Sequence, residues 1–122
     1  MAELTTTSPP ANLVIAASTV SYNVVSVVLG TSPAGQTTAS VAQYVQYQAL
    51  GFVSSGSDPL NIPVRWLLNG EDVENPGSVT GPGGGAPGQF SAYWGEGHQA
   101  GVYTVQAVIG GVPSNTLTLT VS

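Results

Sequence analysis

The chain contains no cysteine and no lysine, and Arg65 is its single permanently cationic side chain. Each absence removes a class of function. Without cysteine there is no disulfide, no thiolate metal centre and no thiol nucleophile. Without lysine there is no Schiff base and no lysine clamp on a transferring phosphate. A net charge of −5 with one cation excludes the cluster of Lys and Arg that neutralises nucleic-acid phosphates, and the same shortage argues against anionic membrane surfaces. No apolar run approaches the roughly 18 residues of a membrane-spanning helix, and Met1 to Pro10 lacks the basic start and apolar stretch of a secretion signal. That opening leads to the expectation of a product made and kept in the cytoplasm of its host.

Charged residues of both signs make up only 6% of the chain, against roughly a quarter in an average soluble domain, so solubility falls to Thr, Ser, Asn and Gln. Disorder pairs low hydrophobicity with high charge, and an apolar content of 42% without charge runs points instead to a folded chain. At 122 residues there is material for one core. With 16 Gly, 9 Pro and an abundance of Val and Thr between them, helices are disfavoured and short strands favoured.

Thr5, Thr6, Thr7, Ser8, Pro9 and Pro10 mark residues 1–12 as an extended arm, leaving 13–122 as the domain. Leu13 to Ala17 reads as a short edge strand. Tyr22 to Leu29 reads as a longer one, closed by Gly30 and the turn residues Ser32, Pro33 and Gly35. Between Val41 and Val53 the odd positions Val45, Tyr47, Ala49 and Val53 predict a core-facing side, and Tyr44, Gln46, Gln48, Leu50 and Phe52 the opposite one. Ser54 to Asn61 is a loop. Val64, Trp66 and Leu68 then alternate with Arg65 and Leu67 before a reversal at Asn69 and Gly70. The glycine-rich run Gly81 to Gly88 is expected to hold neither strand nor helix and to form a long flexible loop. Phe90, Ala92 and Trp94 share one phase, which turns Trp94 inward and Tyr93 outward. Tyr103, Val105, Ala107 and Ile109 repeat the pattern, and Leu117, Leu119 and Val121 close the chain. About seven strands separated by Gly, Pro and Asn turns predict an all-β sandwich or barrel.

Three segments resemble immunoglobulin-like domains of bacterial surface proteins and of tailed-phage virion proteins. Val64, Arg65, Trp66, Leu67, Leu68, Asn69, Gly70 is similar to the third strand of such domains, whose Trp packs between the sheets. Gly101, Val102, Tyr103, Thr104, Val105 resembles the penultimate strand, whose Tyr closes a corner on upstream backbone. Ser114 to Val121 resembles the closing strand of bacterial repeats. The resemblance covers roughly residues 41–122. It implies an immunoglobulin-like β-sandwich of about seven strands with an extended N-terminal arm. Trp66, Trp94, Tyr103 and Val105 would be core residues, and the Tyr103 hydroxyl would bond to backbone within Glu96 to Ala100. Val105 stands where antibody domains carry their second cysteine, and Ala49 is a stand-in for the first.

Reactive side chains are scarce. His98 is the only histidine, and between Gly97 and Gln99 it reads as an exposed turn residue without the orienting carboxylate and nucleophile that a general base needs. Glu71, Asp72 and Glu74, flanked by Asn69 and Asn75, are hard oxygen ligands of the kind calcium prefers, but they lack EF-hand spacing and read as a hydrated turn. The glycine-rich run lacks the Lys and Ser/Thr of a phosphate-binding loop. These observations point to no catalytic residue, no metal ligand and no cofactor.

The resemblance and the missing leader together lead to the expectation of a non-enzymatic virion structural protein. A phage capsid decoration or cement protein is favoured, with a tail-attached immunoglobulin-like protein as a variant. Its partners would be a major capsid or tail protein and further copies of itself, a trimer being favoured, and it would reside in the virion after assembly in the host cytoplasm. Outward Leu50, Phe52, Leu67 and Tyr93 are the candidate interaction residues. The alternative is an immunoglobulin-like module of a bacterial adhesin or cell-surface protein, binding carbohydrate through an aromatic such as Tyr93.

Overall fold

β-Branched and aromatic side chains, punctuated by glycine and asparagine turns, lay out strands along residues 22–122, the part of the chain that the computed structural model describes. In chain order they are β1 (Val24–Ser32), β2 (Thr38–Ala39), β3 (Tyr44–Val53), β4 (Val64–Leu68), β5 (Glu71–Asp72), β6 (Gly81–Pro82), β7 (Gln89–Gly97), β8 (Gly101–Ile109), β9 (Val112–Pro113) and β10 (Leu117–Val121). No helix occurs among the described residues. The arm expected at 1–12 and the edge strand expected at Leu13 to Ala17 lie outside them.

Strands β1, β3, β7 and β6 form a four-stranded sheet in that order. Strands β2, β10, β8, β4 and β5 form the second sheet, with β9 added against β8. The sheets pack as an all-β sandwich. Every pairing is antiparallel except β2 with β10, where Thr38 and Ala39 run parallel to Thr120 and Val121.

Period-two alternation decides which side chains enter the core. On β3 the predicted inward set Val45, Tyr47, Ala49 and Val53 is buried. Gly51 occupies the remaining inward position because its neighbours leave no room for a side chain. A methyl group there would lie 2.6 Å from Phe90 Cζ and would overlap the carbonyl oxygen of Ser26. Trp66 on β4 is fully enclosed, with Trp94 of β7 at a centroid distance of 5.8 Å, and Tyr47 stacks on Trp94 at 5.3 Å. Val105, Ala107 and Ile109 of β8 and Leu119 and Val121 of β10 complete the core from the other sheet. Among the described buried side chains the Trp66 Nε1 donor has no hydrogen-bond partner.

Two local expectations are corrected. The glycine-rich run does hold a strand: β6 pairs Gly81 with Ser91 and Pro82 with Phe90, and Ser91 Oγ donates to the Pro82 carbonyl at 2.8 Å. The strand is two residues long and at the end of the described sheet, a position where proline's missing N–H costs the ladder nothing. The loop behind it is tied down, since Val53 N donates to the Gly88 carbonyl at 2.9 Å. The second correction is to β1, which runs on to Ser32 rather than stopping at Leu29.

Among the described strands β1 stands at the end of its sheet, and at Leu29 its outer side is occupied by a side chain. Leu29 N donates to Asn115 Oδ1 at 2.8 Å, and Asn115 Nδ2 donates back to the Leu29 carbonyl at 3.0 Å. The amide supplies the donor and acceptor that a neighbouring strand would have offered.

Candidate functional site

The same alternation that fills the core fixes what the outer face of the four-stranded sheet presents. Along β3 this face carries Tyr44, Gln46, Gln48, Leu50 and Phe52. The register sets Val28 of β1 and Ser91 of β7 on either side of Leu50, and Gly30 and Tyr93 on either side of Gln48. Ser26 and Gln89 flank Phe52 in the same way. Glu96 is the one charged residue in the four strands of this sheet, and it pairs with core-facing Val45 at the far end of β7 rather than standing among the outward residues. Among the described strands the outer face is therefore uncharged.

It has two halves. Val28 is 62% exposed, and Leu50 and Phe52, both also exposed, form with it an aliphatic and aromatic strip across β1 and β3. Towards the other end stand Tyr44 and Tyr93. A side-chain carbon added at Gly95 would overlap the hydroxyl oxygen and Cζ of Tyr44 and lie 2.8 Å from Cε1, so the phenol end of the ring reaches diagonally from β3 to lie across the bare backbone of Gly95 on β7. Covering an in-sheet glycine with an aromatic ring restores packing that the glycine lacks. Only one side of the ring is used for this, and Tyr44 remains 65% exposed. Tyr93, two residues before Gly95 on the same face, is also exposed, and Gln48 Nε2 donates to its hydroxyl at 2.8 Å.

Of the four interaction residues expected from sequence, Leu50, Phe52 and Tyr93 share this face. Leu67 does not. It is half-buried on the outer side of the second sheet, paired with Gln106 of β8 and Asp72 of β5, so the three-residue patch Leu50, Phe52, Leu67 is split between opposite sides of the sandwich. Tyr44 and Val28 enter the face through register. Alternation along β3 turned Tyr44 outward, but no local signal places its ring over Gly95 or beside Tyr93.

Of the core candidates, Trp66, Trp94 and Val105 are buried, whereas Tyr103 is only half-buried against the core and donates its hydroxyl to the Gln99 carbonyl at 2.9 Å. His98 is not an exposed turn residue but is buried, and this expectation is corrected. Its ring stacks on Tyr103 at 4.7 Å, its Nε2 is hydrogen-bonded to Tyr47 Oη at 2.9 Å, and its Nδ1 lies 3.6 Å from Glu96 Oε2. With the imidazole proton on Nδ1, facing the carboxylate, Nε2 accepts from the Tyr47 hydroxyl. Burial first, and the Glu96 charge second, push the Tyr47 phenol up to about 12. The cluster closes one end of the sandwich with polar groups that satisfy one another.

At the acidic turn, Arg65 holds Asp72 by a two-pronged ion pair, Nε to Oδ1 and Nη2 to Oδ2 at 2.9 Å each. The guanidinium keeps the Asp72 carboxyl below the usual carboxylate range. Asn69 Oδ1 accepts from Thr104 N at 2.9 Å. Among the described residues no three His, Cys, Asp or Glu side chains converge as metal ligands. Compared with known proteins, the chain matches no family model and no curated sequence, so the uncharged face must be read from its own chemistry.

Proposed function

We propose that the chain is a non-enzymatic docking protein of immunoglobulin-like type that decorates or cements a virion, and that it attaches through the Val28, Leu50 and Phe52 strip. The observation that carries this reading is the uncharged, partly apolar outer face of the four-stranded sheet. A chain of net charge −5 repels its own copies and other acidic proteins unless contact is made where no acid stands. Glu71, Asp72 and Glu74 lie on or beside β5 at the edge of the second sheet, and Asp58 lies in the loop before β4. The strip thus meets the usual demand of an interface centre, apolar groups with charge kept to the margin. A capsid or tail protein is the partner that fits the sequence resemblance, with a homotrimer as the favoured form of self-association. A module of a bacterial surface protein is the alternative setting for the same face.

The test is the mass of the full chain in solution by light scattering, and its co-sedimentation with particles of the parent virus. Wild-type protein should oligomerise or sediment with particles, and Leu50→Lys with Phe52→Lys should do neither while unfolding at an unchanged denaturant midpoint. A monomer that never sediments with particles refutes the reading.

A further inference from the structure

We infer that the other half of this face, built from Tyr44, Gly95, Tyr93 and Gln48, is a stacking platform for an uncharged polysaccharide. The inference does not depend on the docking strip, which uses different residues.

Three features carry it. First, the Tyr44 ring is supported from below by Gly95 and open above, so its orientation is held by the sheet while one aromatic side stays accessible. Flat aromatic surfaces of this kind suit the C–H-bearing sides of sugar rings. Tyr93 follows two residues along β7, about 7 Å away by strand geometry, so two rings stand in succession along the strand direction. Second, the amide of Gln48 is committed to the Tyr93 hydroxyl at 2.8 Å, which fixes that ring before any ligand arrives. A side chain already held in place loses little freedom on binding. Gln46, between Tyr44 and Gln48 on β3, offers an amide that can donate to and accept from hydroxyl groups. Third, the charge pattern selects against other ligands. Arg65 is the chain's only Arg or Lys, it belongs to the second sheet, and its guanidinium is taken by Asp72. A phosphate, sulfate or uronic acid laid across Tyr44 and Tyr93 would meet no cation and would feel the net charge of −5. Both rings are exposed to solvent, Tyr44 at 65% and Tyr93 at 47%. Small ligands are held by burial in pockets, whereas an extended polymer can spread its contacts along a strand.

The experiment is affinity electrophoresis of the full chain through gels containing dextran, galactomannan or mixed-linkage β-glucan, with dextran sulfate as the anionic comparison. At least one neutral polymer should retard the protein, and dextran sulfate should not. Tyr44→Ala and Tyr93→Ala should each weaken retardation about tenfold, and Tyr44→Phe, which keeps the ring, should stay within about threefold of wild type. Phe52→Lys should leave retardation unchanged, which separates this site from the docking strip. Urea midpoints of each variant guard against loss of fold at Gly95, and Tyr93→Ala, which uncovers no glycine, provides the second reading. Retardation by no neutral polymer, preferential binding of dextran sulfate, or retardation indifferent to both alanine variants overturns the inference. So does loss of self-association or particle docking in Tyr44→Ala without any polysaccharide binding, which assigns the rings to a protein interface.

Discussion

Gly51→Ala and Gly30→Ala add the same methyl group to adjacent strands of one sheet, and the structure gives them opposite consequences. At Gly51, on β3, the new carbon would be 2.6 Å from Phe90 Cζ and would overlap the Ser26 carbonyl oxygen. Phe90 is fully buried and cannot swing aside, and the Ser26 oxygen belongs to the paired strand β1. Overpacking a core costs about 1–3 kcal/mol where side chains can yield. With backbone as one of the obstacles, the cost at Gly51 falls at or above the top of that range. For a domain of this size, about 3 kcal/mol lowers Tm by at least about 10 °C. At Gly30 no atom lies within 4 Å of the added carbon, and its φ is not in the left-handed region. There the methyl group removes freedom from the unfolded chain and should stabilise by about 0.5 kcal/mol. Urea unfolding followed by tryptophan fluorescence reads both, since Trp66 and Trp94 are buried in the fold. Equal midpoints for the two variants would refute the packing argument and the inward assignment of Gly51.

Four further outcomes can be measured on the same protein. Trp66→Ala should cost about 3–5 kcal/mol in urea unfolding, the range for deleting a large core aromatic. Trp66→Phe should cost clearly less, because it also removes the unpartnered Nε1 donor, whose burial is itself unfavourable by about 1–3 kcal/mol. Between pH 10 and pH 12 the native protein should lose stability: the unfolded phenol ionises near 10.0 while Tyr47 in the fold holds its proton to about 12, so the unfolded state sheds the proton first. The loss, on the order of 2 kcal/mol by pH 12, should be absent from that interval in Tyr47→Phe when the two are compared by urea titration. Tyr103→Phe removes the bond to Gln99 and should destabilise by about 0.5–1.5 kcal/mol while leaving polysaccharide retardation and oligomeric mass as in wild type.

The core was legible because burial along a strand has a period of two residues, and Val45, Tyr47, Ala49 and Val53 display it without interruption except at Gly51. Tyr103 was legible for a different reason, a local pattern that carries its own partner four residues upstream. What sequence did not disclose depends on which strand lies beside which. Leu50, Phe52 and Leu67 are outward by the same rule, yet β3 and β4 belong to different sheets, and nothing in a strand's own residues tells which sheet it will join. His98 was misread because its surroundings are not local: flanked by Gly97 and Gln99 it looks like a turn, but its hydrogen-bond partner Tyr47 is 51 residues away. Compositional reasoning failed at Gly81 and Pro82, where an edge position tolerates residues that a central strand would reject. The Tyr44 platform needed three facts at once, the outward phase of β3, the register with β7 and the absence of a side chain at Gly95.

The clasp between Asn115 and Leu29 makes the closure of the β1 margin depend on a single amide. An aspartate at position 115 would replace the Nδ2 donor by a carboxylate oxygen facing the Leu29 carbonyl. Two acceptors would then confront each other on the margin of β1, and the Leu29 carbonyl would lose the donor that covers it while Leu29 N still donates to the carboxylate. A margin freed in this way is a template for strands of other molecules. Asn115→Asp should therefore form fibres or strand-exchanged multimers, followed by light scattering over time, under conditions where the wild-type protein forms none.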